Sequence, residues 1–359
     1  MANKRIFIAI LDWGLGHASR CIPLINALQQ ADYELILGSS GRAMQLVQAE
    51  FPNLKTIELP AYNIWYISNK MWFNIAWQWP KIIWSAWREY RMLQKIIDKH
   101  QIELVISDSR FGCFSTKVPC IFMTHQLYIR IPFPPLQYVV NWINHYMIGK
   151  FTECWIPDNR ENGGLAGALS HPSLSMPTWY LGVLSRMKPL DLTIKYPLIA
   201  VLSGPEPQRS KLEEKLILQA TELKQKLIIV QGKTEDTIQI NASEYVLKIP
   251  FYTSTELNQL MEQAKLIICR PGYTSLMDLT RLGKKALLIP TPGQTEQEYL
   301  AKRLQERGIC YTQNQENLNL EEDIKLAGIY PGFTQIMNAQ SLPDIALKSL
   351  LIKRIHGMC

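Results

Sequence analysis

The chain has 359 residues, a length that suits two domains of ordinary size. An apolar content of 47% and a charged content of 19% indicate large cores and exclude a disordered chain. The net charge of +7 and the pI of about 8.9 favour anionic partners such as phosphates, nucleotides or acidic lipid headgroups. No stretch has the roughly 20 consecutive apolar residues that a membrane-spanning helix needs.

The seven cysteines are scattered, and no pair has the spacing of a metal site or of a CxxC motif. We therefore expect reduced thiols, as in a cytoplasm, and neither a metal ion nor a cofactor. The N-terminal KRIFIAIL is too short for the apolar region of a secretory signal, and Asp12 interrupts it. These features predict a cytoplasmic location.

The first half of the chain alternates short β-rich runs with helical patterns. Strands are predicted for RIFIAIL, YELILG, LKTIEL, ELVIS, VPCIFM and ECWIP, and helices for residues 17–30, 41–49 and about 71–99. Continuous apolar strands separated by helices indicate a parallel sheet covered on both faces. The sequence therefore predicts a doubly wound α/β domain here.

The second half repeats this pattern. Strands are predicted for YPLIAVLSG, KLIIVQG, YVLKIP, KLIICRPG and KALLIP, and helices near residues 208–224, 254–264, 273–282 and 295–307. The predicted domains are 1–183 and 198–340, joined by a linker over 184–197. Ligands in such folds bind beyond the carboxyl ends of the strands, so we expect a site in a cleft between the two α/β domains.

The first strand ends in the loop LDWGLGHASR, in which Gly14 and Gly16 precede the first helix. Glycines there permit a tight turn and bring a ligand close to the backbone N–H groups of a helix N-terminus. A dinucleotide-binding loop would need an acidic residue about 20 positions later. The segment LGSSGR has none, which disfavours NAD, while Ser39 and Arg42 keep NADP open. A simple turn that requires glycine is the other reading.

The most specific motif is LIICRPGYTSLMDLTRLGKKALLIPTPGQTEQEYLAKRL at residues 266–304. It resembles the donor-binding signature of GT-B glycosyltransferases with a family 28 C-terminal domain, including the MurG-like and monogalactosyldiacylglycerol-synthase-like enzymes. GLGHASR and VLSGPEPQR match the glycine-rich loops of the same group in the expected order, although Pro205 replaces a further glycine. The resemblance implies two Rossmann-like domains facing a cleft. It also implies that the last helix, within 341–359, packs back on the first domain.

By this resemblance the second domain binds a UDP-sugar. The N–H groups around Ser203 and Gly204, with the dipole of the following helix, would suit a pyrophosphate, and Arg209 could add charge. An ordinary βα turn is the alternative. Asp278 lies where relatives have a glutamate that accepts the ribose hydroxyls, although a solvated helix carboxylate would look the same.

Two further segments would contact the donor by the same resemblance. Gln294, Glu296 and Gln297 begin a helix whose first loop contacts the sugar hydroxyls and phosphate in relatives. Glu296 could instead only stabilise the helix, through its favourable interaction with the positive end of the helix dipole. Phe251 and Tyr252 follow a strand where relatives cap the nucleotide base, but aromatic residues in this position are equally compatible with a core.

The leaving diphosphate needs positive charge, and this sequence offers arginine rather than a metal ion. Arg270 follows an apolar strand beside Gly272, and we expect it to point into the cleft. No DxD motif occurs, which argues against the glycosyltransferase fold that holds a divalent ion through one. The donor-binding backbone N–H groups near Gly14 and Gly16, the helix N-termini and arginine would take over that role.

Transfer of a sugar to a hydroxyl needs a group that takes the proton of the acceptor. His17 could act as this base because its ordinary pKa near 6.5 leaves it partly neutral. Asp108, at the end of ELVISD, would hold the imidazole and stabilise its charged form, as in related enzymes. Asp108 could alternatively cap the next helix. His125 could line the acceptor pocket or be an ordinary loop histidine.

The segment 62–100 contains six of the ten tryptophans, among them Trp65, Trp72 and Trp84. On a helical wheel of 81–99, the core side carries Ile82, Ile83, Ala86, Tyr90, Leu93 and Ile97. The other side carries Lys81, Arg88, Arg91, Lys95 and Lys99 beside Trp84, with Trp87 at the edge. Basic residues interleaved with exposed tryptophan suit an anionic membrane surface, whereas a solvated basic face or a soluble sugar acceptor is the alternative.

Together these features predict an inverting glycosyltransferase that moves GlcNAc or a related hexose from a UDP-sugar to a lipid-linked or envelope glycan acceptor. It would work peripherally at the inner face of the plasma membrane. No nucleic-acid-binding motif is visible. A non-hydrolysing UDP-sugar 2-epimerase of the same fold and a non-catalytic nucleotide-sugar-binding envelope protein are the alternatives.

Overall fold

The computed structural model describes residues 4–62, 77–233, 238–334, 336, 351–353 and 355. These residues form two compact units that separate between Ser185 and Arg186, and residues 351–353 and 355 group with the first unit. Most of the predicted last helix lies outside the described residues, so its packing stays a prediction.

The first unit is a seven-stranded parallel sheet with helices between its strands. Its strands are β1 Arg5–Ile10, β2 Glu34–Ser39, β3 Lys55–Glu58, β4 Leu104–Asp108, β5 Cys120–Met123, β6 Glu153–Ile156 and β7 Thr178–Tyr180. Its helices are α1 Leu15–Gln30, α2 Gly41–Glu50, α3 Trp79–His100 and α4 Pro134–Ile148, with 3₁₀ turns at Glu161–Gly163 and Gly167–Leu169.

The strand order β3-β2-β1-β4-β5-β6-β7 places a topological switch point between β1 and β4. The connections that follow these two neighbouring strands run in opposite directions, so they leave a crevice outside the carboxyl ends of the strands. Ile10 at the end of β1 is paired with Asp108 at the end of β4. The predicted catalytic pair therefore lies at the position where this fold binds ligands.

The second unit is a seven-stranded sheet in the order β10-β11-β9-β8-β12-β13-β14, with its switch point between β8 and β12. All its strands pair in parallel except β10, which is antiparallel to β11. Its strands are β8 Tyr196–Val201, β9 Leu227–Val230, β10 Ile240–Asn241, β11 Val246–Ile249, β12 Ala264–Cys269, β13 Ala286–Leu288 and β14 Tyr311–Thr312. Its helices are α5 Gln208–Glu222, α6 Ser254–Glu262, α7 Tyr273–Leu282, α8 Thr295–Glu306 and α9 Leu320–Ile329.

The central strands explain why the sequence forms these sheets. Ile6 to Ile10 of β1 are all fully buried, as are Ile267 and Ile268 of β12, because helices cover both faces of each sheet. A one-sided sheet would instead alternate apolar and polar residues. The predicted fold class, two doubly wound parallel α/β domains, is confirmed.

The structure adds elements that the sequence pattern did not reveal, among them α4, β7 and α9. Helix α4 begins at Pro134 and Pro135, which supply the fixed φ of a first helical turn. Its apolar residues are distributed around the helix, so no amphipathic period marks it in the sequence.

The helical wheel of 81–99 was wrong about its core face at one position. Ile83 is 52% exposed, whereas Glu89 is fully buried. Glu89 takes an inward position because it forms an ion pair with the buried Arg110. A charged residue can occupy a core position when its partner is buried with it, and a wheel based on hydrophobicity does not show this.

Candidate active site

The centre of the first unit's candidate site is the pair His17 and Asp108. His17 lies in the first turn of α1, and Asp108 is the last residue of β4. Nδ1 of His17 is 2.8 Å from Oδ2 of Asp108, with the carboxylate fully buried and the imidazole side chain 18% exposed. A buried carboxylate holding a partly accessible imidazole is the arrangement by which enzymes orient a histidine base.

Arg20, one turn along α1 from His17, completes this cluster and was not predicted. Its Nε donates a hydrogen bond to Oδ1 of Asp108 at 2.8 Å, and its Nη2 forms an ion pair with the same oxygen. Nη1 is 3.0 Å from Nδ1 of His125, in the loop after β5. The structure thus brings His17, Asp108 and His125 together around one buried arginine, which the spacing G-x-G-H-x-x-R could have indicated.

The charges of the cluster set the protonation of its members. Burial lowers the pKa of His17, Arg20 lowers it further, and Asp108 opposes both. Burial alone would raise the pKa of Asp108, but Arg20 and His17 outweigh it and the pKa lies below its ordinary value. At neutral pH the pair is therefore a neutral imidazole beside a carboxylate, which is the state that a general base requires.

A second buried arginine, Arg110, fixes the strand ends around this cluster. Its Nε donates to the carbonyl oxygen of Ile10 at 2.7 Å, and its Nη2 donates to Oγ of Ser40 at 3.0 Å. Its ion-pair partner is Glu89 of α3, whose pKa is raised to about 7 by burial although Arg110 opposes the shift. Arg110 thereby joins the ends of β1 and β2 to helix α3.

In the second unit, the loops after β8 and β13 approach each other beside the N-terminus of α5. Ser203 and Gly204 are exposed there, and Gly204 has a φ of +103°, a conformation that favours glycine. A methyl group at Gly204 would lie 3.4 Å from Oγ1 of Thr291 in the loop after β13. The predicted diphosphate loop therefore has its backbone open to a ligand.

Two polar atoms near this loop lack partners in the part of the chain that the structure describes. They are Oγ1 of Thr291 and Oε1 of Gln294, and both are buried. Gln297 lies in the first turn of α8, and its Oε1 accepts a hydrogen bond from the backbone N–H of Thr291 at 2.8 Å. A buried polar atom is costly without a partner, so a ligand that pairs with Thr291 and Gln294 would be favoured.

Arg270 was expected to point at the ligand, but its guanidinium is buried within the unit. Nη1 donates to the carbonyl oxygens of Ile289 and Pro290, both at 3.0 Å, and Nη2 donates to that of Gln208 and to Oε1 of Gln315. Burial lowers the pKa of Arg270 to about 10. The side chain thus joins the start of α5 to the loops after β13 and β14, and it acts on a ligand only through its charge.

Arg209 also has partners of its own. Its guanidinium forms ion pairs with Glu206 and Glu213, and it donates to the carbonyl oxygen of Gln231 at 3.4 Å. Two carboxylates beside one arginine cancel the positive charge that Arg209 was expected to add. The helix N-termini and Arg270 still contribute positive potential at this edge.

The other predicted donor residues occupy the same carboxyl edge. Asp278 of α7 is 7% exposed, so it is not a solvated surface carboxylate, and it raises the pKa of Cys269 in addition to burial. Gly272 is the N-cap of α7. Phe251 and Tyr252 are half-buried just before α6 and do not belong to the core, while Glu296 is half-buried in the first turn of α8.

The predicted membrane-facing residues of α3 are exposed. Trp84 and Trp87 are 56% and 51% exposed, and Arg88 and Arg91 lie over their rings at 4.7 and 4.9 Å. Trp65 and Trp72 lie outside the described residues. Among the described helices, none is both long and apolar enough to span a bilayer.

The described residues contain no group of three His, Cys, Asp or Glu side chains placed to hold a metal ion. Six of the seven cysteines are described, and each is a buried free thiol. Desolvation by burial raises the pKa of several of these thiols, including Cys154 to about 12. They are therefore structural side chains rather than reactive nucleophiles.

Comparison with known families matches residues 203–329 to the model described as glycosyltransferase family 28 C-terminal domain. Two relatives carry the name UDP-N-acetylglucosamine--N-acetylmuramyl-(pentapeptide) pyrophosphoryl-undecaprenol N-acetylglucosamine transferase. The one from Oenococcus oeni is 30% identical over 29% of this chain and 26% of its own length. The one from Natranaerobius thermophilus is 32% identical over 38% of this chain and 41% of its own length. The chain thus matches well under half of either relative.

Solved structures share the fold over nearly the whole chain. The glycosyltransferase SnogD from Streptomyces nogalater superimposes with a TM-score of 0.66 at 14% identity, covering 98% of this chain and 100% of its own. MurG from Acinetobacter baumannii superimposes with a TM-score of 0.61 at 14% identity, covering 99% and 100%. At such identities the similarity establishes the architecture.

Proposed function

Because the chain has the GT-B fold and carries a glycosyltransferase family 28 C-terminal domain over residues 203–329, we propose that it is an inverting glycosyltransferase. Its donor would be a UDP-sugar carrying GlcNAc or a related hexose, as the names of its relatives suggest. Its acceptor would be a hydroxyl of a lipid-linked or envelope glycan at the cytoplasmic face of the membrane. The observation that carries this proposal is the contact between His17 and the buried Asp108.

In this mechanism the acceptor hydroxyl gives its proton to Nε2 of His17. The acceptor oxygen attacks the anomeric carbon as the bond from that carbon to the diphosphate breaks, and this single displacement inverts the anomeric centre. The imidazolium formed on His17 would donate a hydrogen bond from Nδ1 to the carboxylate of Asp108, which lies 2.8 Å away and would stabilise the new charge. UDP leaves with the electron pair of the broken bond.

The second unit would hold the donor at the carboxyl ends of β8, β12 and β13. Backbone N–H groups at Ser203 and Gly204 and the N-terminus of α5 suit the diphosphate. The buried hydroxyl of Thr291 can donate to a phosphate oxygen, and Oε1 of Gln294 can accept from a sugar hydroxyl. The carboxylate of Asp278 would accept hydrogen bonds from the ribose hydroxyls of the donor.

A thermal-shift panel of UDP-, GDP- and TDP-sugars tests the donor. A UDP-sugar at about 100 times its Kd should stabilise the protein by about 2.7 kcal/mol, which raises Tm by several degrees. GDP- and TDP-sugars at equal concentration should raise it less. The Gly204→Val variant should lose the shift, because the valine side chain would block the approach of the ligand to the backbone N–H groups. A φ of +103° also disfavours valine. Equal shifts for all nucleotides, or none for UDP-sugars, would contradict the donor assignment.

The reaction itself distinguishes transfer from the epimerase alternative. A transferase converts UDP-GlcNAc only when an acceptor hydroxyl is supplied, whereas a 2-epimerase isomerises the UDP-sugar alone. We expect no change in UDP-GlcNAc incubated with the protein by itself, followed by NMR of the sugar protons. Isomerisation without acceptor would replace the transferase proposal with an epimerase.

The proposed membrane surface comprises the exposed aromatic residues of α3 and α4. Trp79, Trp84 and Trp87 belong to α3, and Trp77 lies just before it. Those of α4 with its N-cap are Phe133, Tyr138, Trp142 and Tyr146. The two helices are linked through Phe114, whose ring is 4.8 Å from that of Tyr90 in α3 and 5.1 Å from Nζ of Lys150 after α4.

The charge of this surface favours an anionic bilayer as its partner. Residues 127–152 contain no Asp or Glu, and α3 presents Arg88, Arg91, Lys95 and Lys99 outward. Tryptophan and tyrosine prefer the membrane interface, and each basic residue near an anionic leaflet contributes about 1 kcal/mol. A second copy of the chain would bring like charges together, so a bilayer is the better fit.

Vesicle co-sedimentation tests this surface. Binding to vesicles containing phosphatidylglycerol should exceed binding to pure phosphatidylcholine and should fall with salt. The double variant Arg88→Gln/Arg91→Gln should bind anionic vesicles at least tenfold more weakly, and Trp142→Ala/Tyr146→Ala should weaken binding to both kinds.

The matched control is Lys302→Gln/Lys325→Gln, which removes two exposed cations from the second unit and should leave vesicle binding unchanged. Equal loss in the control would mean that net charge alone drives binding. Dimerisation that disappears in the Trp142→Ala/Tyr146→Ala variant, without vesicle binding by the wild type, would assign the surface to a second copy instead.

A further inference from the structure

The loop between β1 and α1 carries an exposed tryptophan. Trp13 is 37% exposed, and Gly14 after it is exposed as well. Of the exposed aromatic side chains in the described part of the chain, Trp13 is the one that lies outside α3, α4 and the residues next to them. Its position three residues after the end of β1 places it at the edge of the sheet where this fold binds ligands.

The indole of Trp13 is supported by a buried aromatic ring. It makes a T-shaped contact with the ring of Tyr62, with the centroids 5.9 Å apart and an angle of 85° between the planes. Tyr62 is 3% exposed, and its hydroxyl donates to Oε2 of Glu89 at 2.8 Å. Glu89 is paired with Arg110, whose guanidinium is 5.7 Å from the Tyr62 ring. An indole held in this way loses little conformational freedom when a ligand packs on it.

The space around the neighbouring glycine is open. Gly14 has a φ of +91°, and a methyl group built on it would meet no described atom within 4 Å, its chain neighbours apart. His17 follows in the first turn of α1, with its side chain 18% exposed. Four residues of chain span at most roughly 14 Å, so the indole and the imidazole can contact the same acceptor molecule.

The surroundings of Trp13 suit a sugar better than a bilayer. Residues 6–19 contain no Lys or Arg, and the nearby Arg20 and Arg110 are buried, whereas exposed arginines accompany the tryptophans of α3. A pyranose ring combines a face of C–H groups with a rim of hydroxyls. The face of an indole attracts such C–H groups, and the imidazole of His17 can form a hydrogen bond with a hydroxyl.

We propose that Trp13 is the platform on which a pyranose ring of the acceptor stacks while one hydroxyl of that acceptor faces His17. The acceptor is then a glycan rather than a simple lipid alcohol. A ring face on the indole and a hydroxyl at the imidazole would together fix which hydroxyl is presented. The reaction of that hydroxyl rests on the proposed function, but the stacking of a sugar on Trp13 does not.

Fluorine NMR of protein labelled with 5-fluorotryptophan tests the platform without donor or turnover. The chain has ten tryptophans, few enough to assign by single substitution. The probes are the methyl β-glycosides of GlcNAc, glucose and galactose and methyl α-mannoside, with sorbitol as a polyol that lacks a ring. At least one glycoside should shift the Trp13 signal with a Kd on the order of 1 mM, as expected for a ligand of about 13 heavy atoms. Sorbitol should not shift it.

Saturation-transfer NMR of the bound glycoside gives a second readout that also applies to variants without the indole. The transfer should be strongest for the C–H protons of one ring face. Trp13→Ala should weaken glycoside binding about tenfold, whereas Trp13→Phe should retain most of it because phenylalanine keeps an aromatic face. Trp84→Ala is the matched control, since it removes an exposed tryptophan of α3 and should leave glycoside binding unchanged.

Four outcomes would overturn the proposal. They are a Trp13 signal that no glycoside shifts, an equal shift with sorbitol, an equal shift at Trp84, and a shift that UDP produces but the glycosides do not. The last of these would assign the indole to the donor. Glycoside binding at Trp13 in a protein that transfers no sugar would instead contradict the proposed enzyme and confirm the sugar site.

Discussion

Replacement of His17 by alanine is expected to lower kcat about 10³-fold while the stabilisation by UDP-sugar stays at its wild-type value. General base catalysis contributes roughly 10² to 10⁴ in rate, and without the imidazole the acceptor proton must pass to water. Binding of the nucleotide should not change, because the imidazole of His17 is not among its candidate ligands, of which only the backbone near Gly14 and Gly16 belongs to the first unit. The measurements are steady-state transfer with a radiolabelled UDP-sugar and the thermal shift described above.

Asp108→Asn is the companion variant, because asparagine keeps the size of the side chain but its amide can donate a hydrogen bond to Nδ1 of His17. It would favour the inactive tautomer of His17 and should lower kcat by a comparable factor.

The pH profile adds an independent readout to these variants. His17 must be neutral to act, and burial and Arg20 lower its pKa, so kcat/KM should remain flat from pH 8 to below 6.5 before it falls. A fully active His17→Ala variant, or an acidic limb above pH 7 in wild type, would remove His17 from the mechanism.

Replacement of Arg270 by methionine is expected to destabilise the second unit by about 3 kcal/mol or more. The change removes the hydrogen bonds that Arg270 donates to four buried oxygen atoms, and each buried acceptor left unsatisfied costs about 1 to 3 kcal/mol before relaxation. No tryptophan occurs from Arg186 to the end of the chain, so tryptophan fluorescence would report the other unit. Hydrogen exchange of peptides covering β8 and β12 is therefore the measurement.

Lys302→Met is the control for this variant, since it replaces an exposed cation of the same unit by the same residue. It should leave exchange of β8 and β12 unchanged. The Arg270 variant also separates the two roles considered for this arginine. Normal exchange combined with a lost UDP-sugar shift would mean that Arg270 binds the phosphate directly, contrary to its contacts in the structure.

Much of the fold was predictable because the buried strands of a parallel sheet form continuous apolar runs in the sequence. RIFIAIL and KLIICRPG are continuous apolar runs, since helices cover both faces of the strands that they form. The glycine-rich loops follow such runs, and a strand end next to a helix start is where a doubly wound sheet binds its ligand. Asp108 ends one such strand and His17 follows the glycine-rich loop after another, and the resemblance to related glycosyltransferases suggested the pairing of the two.

The incorrect and missing predictions concern side chains whose partners are distant in sequence. Ile83 was expected in the core, but the ion pair of Glu89 with Arg110 turns the helix so that Glu89 is buried instead. Arg270 was expected at the ligand because a charge after an apolar strand has no evident local partner. Its acceptors come from the start of α5 and from the loops after β13 and β14, and only the folded chain brings them together.

The sequence by itself determined the strand runs, the glycine-rich loops and the chemistry available at their ends, because these depend on local periodicity and residue type. The tertiary structure alone decided which charges neutralise one another. Arg20 joins Asp108 and His125, which lie 88 and 105 residues away along the chain, while Arg209 is paired with Glu206 and Glu213. The reason is physical: a buried charge is stable only beside a partner, and the fold fixes which partner is within reach.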